Sequence, residues 1–373
     1  MRHSARLAIG AVAAAALTLS GCASGDSGGG SDTGSGGSGG EDDAATSESV
    51  CDSAEGDGPA IGLAYDVGGV GDQSFNDSAY AGLEKAVKEL DATCEEAEAQ
   101  AGEDDAAREE RLRTLIDAGY DTLIGVGYIY STAAYNVAPD YPEVSFGVID
   151  GYNPTESQED LPNVANINFA ANEASFLVGA AAALTTKTDN VGFIGGTDTP
   201  LIQGFEAGYV AGVDEVDPTI KVQTQYLAQE DPVKGFENPA GGETAATGMF
   251  DNGADVVYHA AGKSGLGLFD AVEQAGQGNW AIGVDSDQYL TVDDAQKPFI
   301  LTSALKRIDT GVFEFAESVA KGKQLSGYVT YDLADGGVDF STSNPKLSKK
   351  VVAQLNEYKQ QVIAGKITVP TEP

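Results

Sequence analysis

The sequence predicts an α/β protein with two lobes, each built on a doubly wound parallel sheet. From residue 59 onward, short apolar runs are separated by amphipathic segments of helical period. Near-continuous apolar strands are typical of parallel sheets covered on both faces, and strand–helix alternation favours the same architecture. The alternation occurs in two series, each too short to use the whole chain, and this indicates two lobes.

The first series lies in residues 59–166 and begins the N-terminal lobe. Its first helix has apolar side chains at helical spacing, with Asp77 or Ser78 as the expected N-cap. The predicted strands are AIGLAYD, TLIGVGY and VSFGVID, and the predicted helices are SAYAGLEKAVKEL and AAREERLRTLIDAGY.

The second series lies in residues 167–296 and forms the C-terminal lobe. Its strands are predicted as NVGFIGG, KVQTQYL, DVVYHAAG and WAIGVDSD, and its helices as NEASFLVGAAAALTT, GFEAGYVAGVDEV, TAATGMFDNG and GLFDAVEQAG. A further strand–helix unit at 297–325 is assigned to the N-terminal lobe, and residues 326–373 are assigned to the C-terminal lobe.

The residues before this body are unlike a folded domain. Two arginines, a short apolar run and the sequence LSGC ending at Cys22 are typical of an export signal, not of a membrane span. The position of Cys22 resembles a bacterial lipobox, which implies a palmitate-type diacyl anchor; an ordinary signal peptide with an incidental cysteine is the alternative. We assign 1–21 to a lipoprotein signal peptide and 22–58 to a disordered linker, because the latter is rich in glycine and acid.

Charge, histidine and cysteine usage narrow the function further. The formal net charge of -37 argues against nucleic acid as a partner. Only His259 remains after removal of the signal peptide, so multi-histidine metal sites and Ser-His-Asp chemistry lack support. A disulfide between Cys51 and Cys94 is permitted outside the cell, but the sequence leaves the pairing open.

Several polar residues stand where predicted strands end, the place where ligands bind in open α/β sheets. Strand-end carboxylates can accept hydroxyl hydrogen bonds from a sugar diol, an aromatic ring can stack on a base, and an amide can read a base edge. Each residue also has an ordinary explanation, such as a helix cap, a core position or a turn. The candidates are Asp66, Phe75, Asn76, Asp150, Asp285 and Lys306.

Motifs for phosphate and acyl transfer are incomplete. The glycines after Asp66 do not form G-x-G-x-x-G, because position 74 is Ser. The segment AGKSG lacks the first P-loop glycine, since position 257 is Val, and Leu266 stands where a nucleophile elbow requires Gly.

Five ordered motifs together resemble the basic membrane protein family of substrate-binding lipoproteins, whose characterised members are purine-nucleoside receptors of ABC transporters. They are DVGGVGDQSFND, VGFIGGTDTPLIQGFEAGYVAGV, DVVYHAAGKSGLG, AIGVDSDQ and LTSALKRIDTGVF. The resemblance implies a type I periplasmic-binding-protein fold, with a hinge of several crossovers and a purine nucleoside held between the lobes. It also implies a monomer with no cofactor and no enzymatic activity, anchored at Cys22 on the outer face of the membrane beside an ABC permease.

The resemblance assigns roles to matching positions. Asp66, Asn76 and Asp150 would contact the base and Phe75 would stack on it. The YHAAG strand end would supply the opposing face through Tyr258 or His259, with the backbone at Gly262 close to the ligand. Asp285 would bind the ribose hydroxyls, supported by Lys306. Lys263 departs from the family, which usually has Gly there, so a side chain could narrow or recharge the mouth of the cleft.

Two other functions remain open at this point. The same fold could bind a sugar or polyol, or serve as a surface sensor or adhesin without a transport role. Acidic clusters can also cleave glycosidic bonds, so nucleoside hydrolysis is a further alternative.

Overall fold

The computed structural model describes residues 49–100, 102–155 and 160–373. The predicted signal peptide, the lipidation site at Cys22 and most of the linker lie outside the described residues. None of the described helices combines the length and apolar character that crossing a bilayer requires.

One six-stranded sheet forms the core of the first lobe. Its strand order is β11-β5-β4-β3-β1-β2 and all neighbours are parallel. The strands are β1 Ala60–Ala64, β2 Thr93–Ala97, β3 Thr122–Gly125, β4 Ser145–Ile149, β5 Val164–Phe169 and β11 Gly327–Tyr331.

A second six-stranded sheet, with the order β12-β10-β9-β8-β6-β7, forms the core of the second lobe. It repeats the order of the first sheet, except that β12 is antiparallel to β10. The strands are β6 Asn190–Thr197, β7 Lys221–Ala228, β8 Val256–Ala260, β9 Trp280–Asp285, β10 Ile300–Lys306 and β12 Val338–Phe340.

Helices cover both faces of the sheets, as the apolar strands predict. Those of the first lobe are α1 Phe75–Leu90, α2 Asp105–Asp117, α3 Ser131–Val137 and α10 Ile308–Ala320. Those of the second lobe are α4 Ala171–Thr185, α5 Pro200–Val216, α6 Pro232–Phe236, α7 Pro239–Asp251, α8 Leu266–Ala275, α9 Gln288–Thr291 and α11 Lys349–Ile363.

Close packing of α4 against α5 fixes the start of α5, which reaches the cleft. A Cβ at Gly208 would lie 2.1 Å from the carbonyl oxygen of Asn172, and one at Gly212 would lie 2.0 Å from that of Phe176. Only glycine therefore allows the two helix backbones to approach so closely.

The chain passes between the sheets after β5, after β10 and after β11. The predicted lobe ranges put β10 in the first lobe and β11 in the second, whereas in the structure β10 pairs with β9 and β11 pairs with β5. The helix α10, which follows β10, does pack on α1 of the first lobe. Sheet membership depends on pairing between distant residues, and a local apolar pattern does not encode it.

The cysteine pairing that the sequence left open is present. Cys51 and Cys94 form a disulfide with their Cα atoms 5.0 Å apart. It joins a short 3-10 helix, Val50–Ser53, to the amino end of β2. The backbone N–H of Val50 also donates to the Tyr80 hydroxyl at 3.0 Å, so the end of the linker is attached to the first lobe.

Candidate functional site

A cleft lies between the carboxyl ends of the two sheets. Its empty space is about 540 Å³, counted to its open mouth, and residues of both lobes line it. Seven of the predicted site residues are among them: Asp66, Phe75, Asn76, Asp150, Gly262, Asp285 and Lys306. The structure thus brings together residues separated by up to 240 positions in the chain, at the place where parallel sheets bind ligands.

The loop between β1 and α1 presents Phe75 to the cleft. The buried carboxylate of Asp72 accepts the backbone N–H groups of Ser74 at 2.8 Å and of Asp77 at 3.2 Å, and so caps the helix. The helix therefore starts at Phe75. The prediction of Asp77 or Ser78 as the N-cap is wrong, because both lie inside the first turn.

Asn76 combines a local role with a place on the cleft wall. Its Oδ1 accepts the backbone N–H of Asp66 at 3.0 Å, and its Nδ2 donates to Asp72 at 3.0 Å. These two bonds tie the beginning of the loop to its end. An amide nitrogen carries two hydrogens, so one remains for a ligand.

Three carboxylic acids that line the cleft have raised pKa values: burial raises that of Asp72 to about 6, and the other two, Asp66 and Asp285, stand at strand ends. Burial raises the pKa of Asp66 to about 7 and outweighs the hydrogen bond that it accepts from the N–H of Val67 at 2.7 Å. Burial likewise raises the pKa of Asp285 to about 6, while Lys306 and a hydrogen bond from Ser74 act in the opposite direction. Both strand-end acids can therefore accept a proton near neutral pH at low cost.

Asp150 and Asp285 occupy equivalent positions at the ends of the fourth strands of their sheets. Both have left-handed backbones, with φ of 56° and 61°. This conformation is uncommon for residues other than glycine, and aspartate tolerates it better than most. Uncommon backbone conformations cluster at functional sites, so two of them at the facing strand ends support a functional role for the cleft.

Lys306 is a buried cation at the centre of the cleft. It forms an ion pair with Asp150 of the other lobe. Its Nζ lies 4.9 Å from the ring centroid of Phe75, 5.4 Å from that of Phe169 and 5.7 Å from that of Phe205. Its charge is thus balanced by one carboxylate and three aromatic rings.

The apolar walls of the cleft were missed by sequence reasoning. They come from a short helix after β3, from the start of α5 and from the end of α6. Three of the residues lie within the motif VGFIGGTDTPLIQGFEAGYVAGV, but their side chains read as helix core positions, and nothing in the local sequence assigns them to the cleft. The residues are Tyr128, Leu201, Ile202, Phe205 and Phe236.

Neither Tyr258 nor His259 lines the cleft, and their predicted ligand contact is corrected here. Tyr258 is fully buried under α4, where its hydroxyl lies 3.1 Å from that of Ser175. His259 is fully buried on the other face of β8, with Nε2 3.0 Å from Oε1 of Gln288, and burial lowers its pKa to about 4. Both faces of a covered parallel strand are core, so only the residues at its carboxyl end and just beyond it, here Ala260 to Gly262, line the cleft.

The residues beyond β8 do reach it. Gly262 lines the cleft with φ of 52°, and Lys263 extends across to the other lobe. Its Nζ donates to the carbonyl oxygen of Gly68 at 3.1 Å. The side chain that departs from the family pattern therefore forms a bond between the lobes.

Comparison with known proteins identifies the family. The family model described as "Bmp: ABC transporter substrate-binding protein PnrA-like" matches residues 61–372. The chain belongs to the Bmp family. Among curated Bmp-related proteins, the "ABC transporter nucleoside-binding protein BmpA" of Lactococcus lactis subsp. cremoris is 34% identical over 83% of this chain and 88% of its own length. Basic membrane protein A of Borreliella burgdorferi is 30% identical over 84% of this chain and 88% of its own length.

Solved structures agree with the fold. An ABC transporter solute-binding protein from Aeropyrum pernix K1 aligns with this Bmp protein at a TM-score of 0.72 and 28% identity, covering 84% of this chain and 94% of its own. One from Conexibacter woesei aligns at a TM-score of 0.68 and 20% identity, which shows the fold alone. The fold is that of type I periplasmic binding proteins, as the sequence resemblance implied.

Proposed function

We propose that this Bmp-family protein binds a nucleoside, preferably a purine nucleoside, in the cleft and delivers it to an ABC permease. The observation that carries the proposal is the composition of the cleft, in which aromatic rings lie beside buried carboxylic acids from both lobes. A ring such as Phe75 supplies a stacking face for a base, and Asp285 can accept the two hydroxyls of a ribose. The name of the Lactococcus relative, a nucleoside-binding protein, supports the same ligand class.

The remaining polar groups divide between the two ends of the ligand. Asp66, Asn76 and Asp150 contact the base, with the raised pKa of Asp66 allowing it to donate as well as accept. Lys306 supports the ribose end. No bond of the ligand is broken. Binding favours the closed arrangement of the lobes, which the permease recognises.

The cellular setting is part of the proposal. A diacyl anchor at Cys22 holds the protein as a monomer on the outer face of the cell membrane, with 22–58 as a spacer. An ABC permease beside it receives the ligand. Mass spectrometry of the purified full-length product tests the anchor: a diacylated Cys22 supports it, and an unmodified N-terminus at another residue contradicts it.

Calorimetry against nucleosides, free bases and sugars tests the ligand. We expect purine nucleosides to bind and Phe75→Ala to weaken binding about 5- to 150-fold, the equivalent of about 1–3 kcal/mol of stacking. Phe250→Ala, a half-buried phenylalanine outside the cleft, is the matched control. Binding of sugars with no effect of Phe75→Ala would instead support the polyol alternative, and no nucleoside binding would refute the proposal.

A further inference from the structure

A cluster of three hydrogen bonds, formed by residues 73, 74, 285, 286 and 288, joins the two lobes beside the cleft, and of these residues Asp285 lines it. Ser74 Oγ donates to Asp285 Oδ2 at 2.8 Å, and Ser286 Oγ donates to the carbonyl oxygen of Ser74 at 3.0 Å. Gln288 Nε2 donates to the carbonyl oxygen of Gln73 at 3.1 Å. We call Gln73, Ser74, Ser286 and Gln288 the interlobe latch; none of them lines the cleft.

Hydrogen bonds within the second lobe hold Gln288 so that its side-chain NH₂ group faces the first lobe. It is fully buried, and its backbone N–H donates to Ser303 Oγ at 3.1 Å. Its Oε1 accepts the N–H of Val284 at 2.9 Å and lies 3.0 Å from His259 Nε2. Since Oε1 can only accept, the neutral imidazole of His259 donates from Nε2. The second lobe thus satisfies the acceptor of Gln288, which leaves its NH₂ group for Gln73.

The backbone on both sides of the latch is held in a costly conformation. Gln73 has φ of 55° and Asp285 has φ of 61°. Left-handed residues other than glycine persist where their surroundings determine them. Here each supplies an acceptor to a latch bond, through the carbonyl oxygen of Gln73 and the side chain of Asp285. The latch therefore bonds to a left-handed residue on each side of the interface, and one of the two, Asp285, lines the cleft.

We propose that the interlobe latch positions Asp285 and stabilises the closed arrangement, so that it sets ligand affinity without setting ligand selectivity. All of its bonds join atoms of the chain, so they contribute equally whichever ligand is held. Selectivity comes from the side chains that line the cleft. The ligand class used in the test rests on the proposed function, whereas the effect of the latch on lobe closure does not.

The test uses Ser286→Ala and Gln288→Glu, with Ser343→Ala as the control. Ser286→Ala removes one latch bond from a partly exposed site. Gln288→Glu keeps the acceptor for Val284 and places an oxygen opposite the carbonyl of Gln73. Ser343 Oγ bonds within its own lobe, to Asp287. Affinities for inosine and adenosine are measured by calorimetry, and the ligand-free radius of gyration by small-angle X-ray scattering.

We expect Ser286→Ala to weaken binding of both nucleosides about fivefold and Gln288→Glu to weaken it more than tenfold, with the inosine-to-adenosine ratio unchanged. The ligand-free radius of gyration should rise for Gln288→Glu and stay constant for the control. Unchanged affinities, or a changed ratio, would overturn the proposal. If the unmodified protein binds neither nucleoside, the proposed ligand is wrong, and scattering still decides: equal radii for Gln288→Glu and the unmodified protein overturn the latch.

Discussion

Replacement of Lys306 by methionine should weaken ligand binding far more than it weakens folding. Lys306 and Asp150 are 3% and 7% exposed and belong to different lobes. Methionine keeps most of the length and the aromatic contacts of the lysine, but leaves the carboxylate of Asp150 buried without its partner in the closed arrangement. When the lobes separate, that carboxylate regains water. The cost therefore falls on closure.

The magnitude follows from the burial of the pair. Removing one partner of a buried ion pair costs about 3–5 kcal/mol. Because closure and binding are coupled, this corresponds to a loss of affinity between about a hundredfold and a few thousandfold. The thermal unfolding temperature should change little, since unfolding can proceed from the open arrangement, where Asp150 is hydrated.

A second substitution separates closure from ligand contact. In Lys306→Met/Asp150→Asn the buried carboxylate of Asp150 is removed together with its partner, so affinity should recover by tenfold or more relative to the single variant if the pair acts mainly through closure. Titration calorimetry with a purine nucleoside measures the affinity, and scanning calorimetry without ligand measures the thermal unfolding temperature. Wild-type affinity in the folded Lys306→Met protein would refute the reasoning.

Three further predictions concern other parts of the molecule. Burial raises the pKa of Asp66 from 3.8 to about 7, so the folded protein holds a proton that the unfolded chain has lost. Without ligand, stability should therefore rise by about 1 kcal/mol between about pH 8.5 and about pH 6.5, and Asp66→Asn should remove most of this rise in calorimetric scans, since Asp72 and Asp285, with pKa values raised to about 6, supply the smaller remainder; a variant with the same slope contradicts it. Lys263→Met should weaken ligand binding about fivefold through loss of its bond to the first lobe, and an unchanged dissociation constant would show that bond to be unimportant. Cys51→Ser/Cys94→Ser should lower the free energy of unfolding by about 2–4 kcal/mol in denaturant titrations, with ligand affinity unchanged because the disulfide lies at the amino end of β2; a loss of affinity would contradict that separation.

The parts of the fold that the sequence predicted well are those with strong local patterns. Apolar runs such as AIGLA and WAIGVD are strands, and their ends carry Asp66 and Asp285 into the cleft. The edge strand TCEEA was missed because two acidic residues interrupt it and only one of its five residues is buried. The strands β5 and β11 were missed as well; β5 pairs with β4, and β11 joins the edge of the sheet by pairing with β5.

Most polar residues of the cleft were predicted, Asp72 being an exception, whereas most of its apolar residues other than Phe75 were missed. Strand-end polar residues have a stated reason to converge, whereas Phe205 and Phe236 look like any other helix core residues until the lobes are placed together. The prediction chose the correct strand, β8, but placed the ligand contact at Tyr258 and His259, whereas the residues that line the cleft begin at Ala260. A strand buried on both faces gives no alternation from which the exposed end could be inferred.

The two sheets have the same strand order, so the residues at equivalent strand ends can be compared across the cleft. Equivalent positions carry the same residue at the ends of the fourth strands, Asp150 and Asp285, but different residues at the ends of the fifth, Phe169 and Lys306. Those two unlike residues meet, with the ammonium group 5.4 Å from the ring centroid. A molecule turned end for end in the cleft would find matching carboxylates but would exchange a cation for a ring. This departure from internal symmetry makes the two walls of the cleft unlike, and we expect it to favour one direction of a bound ligand.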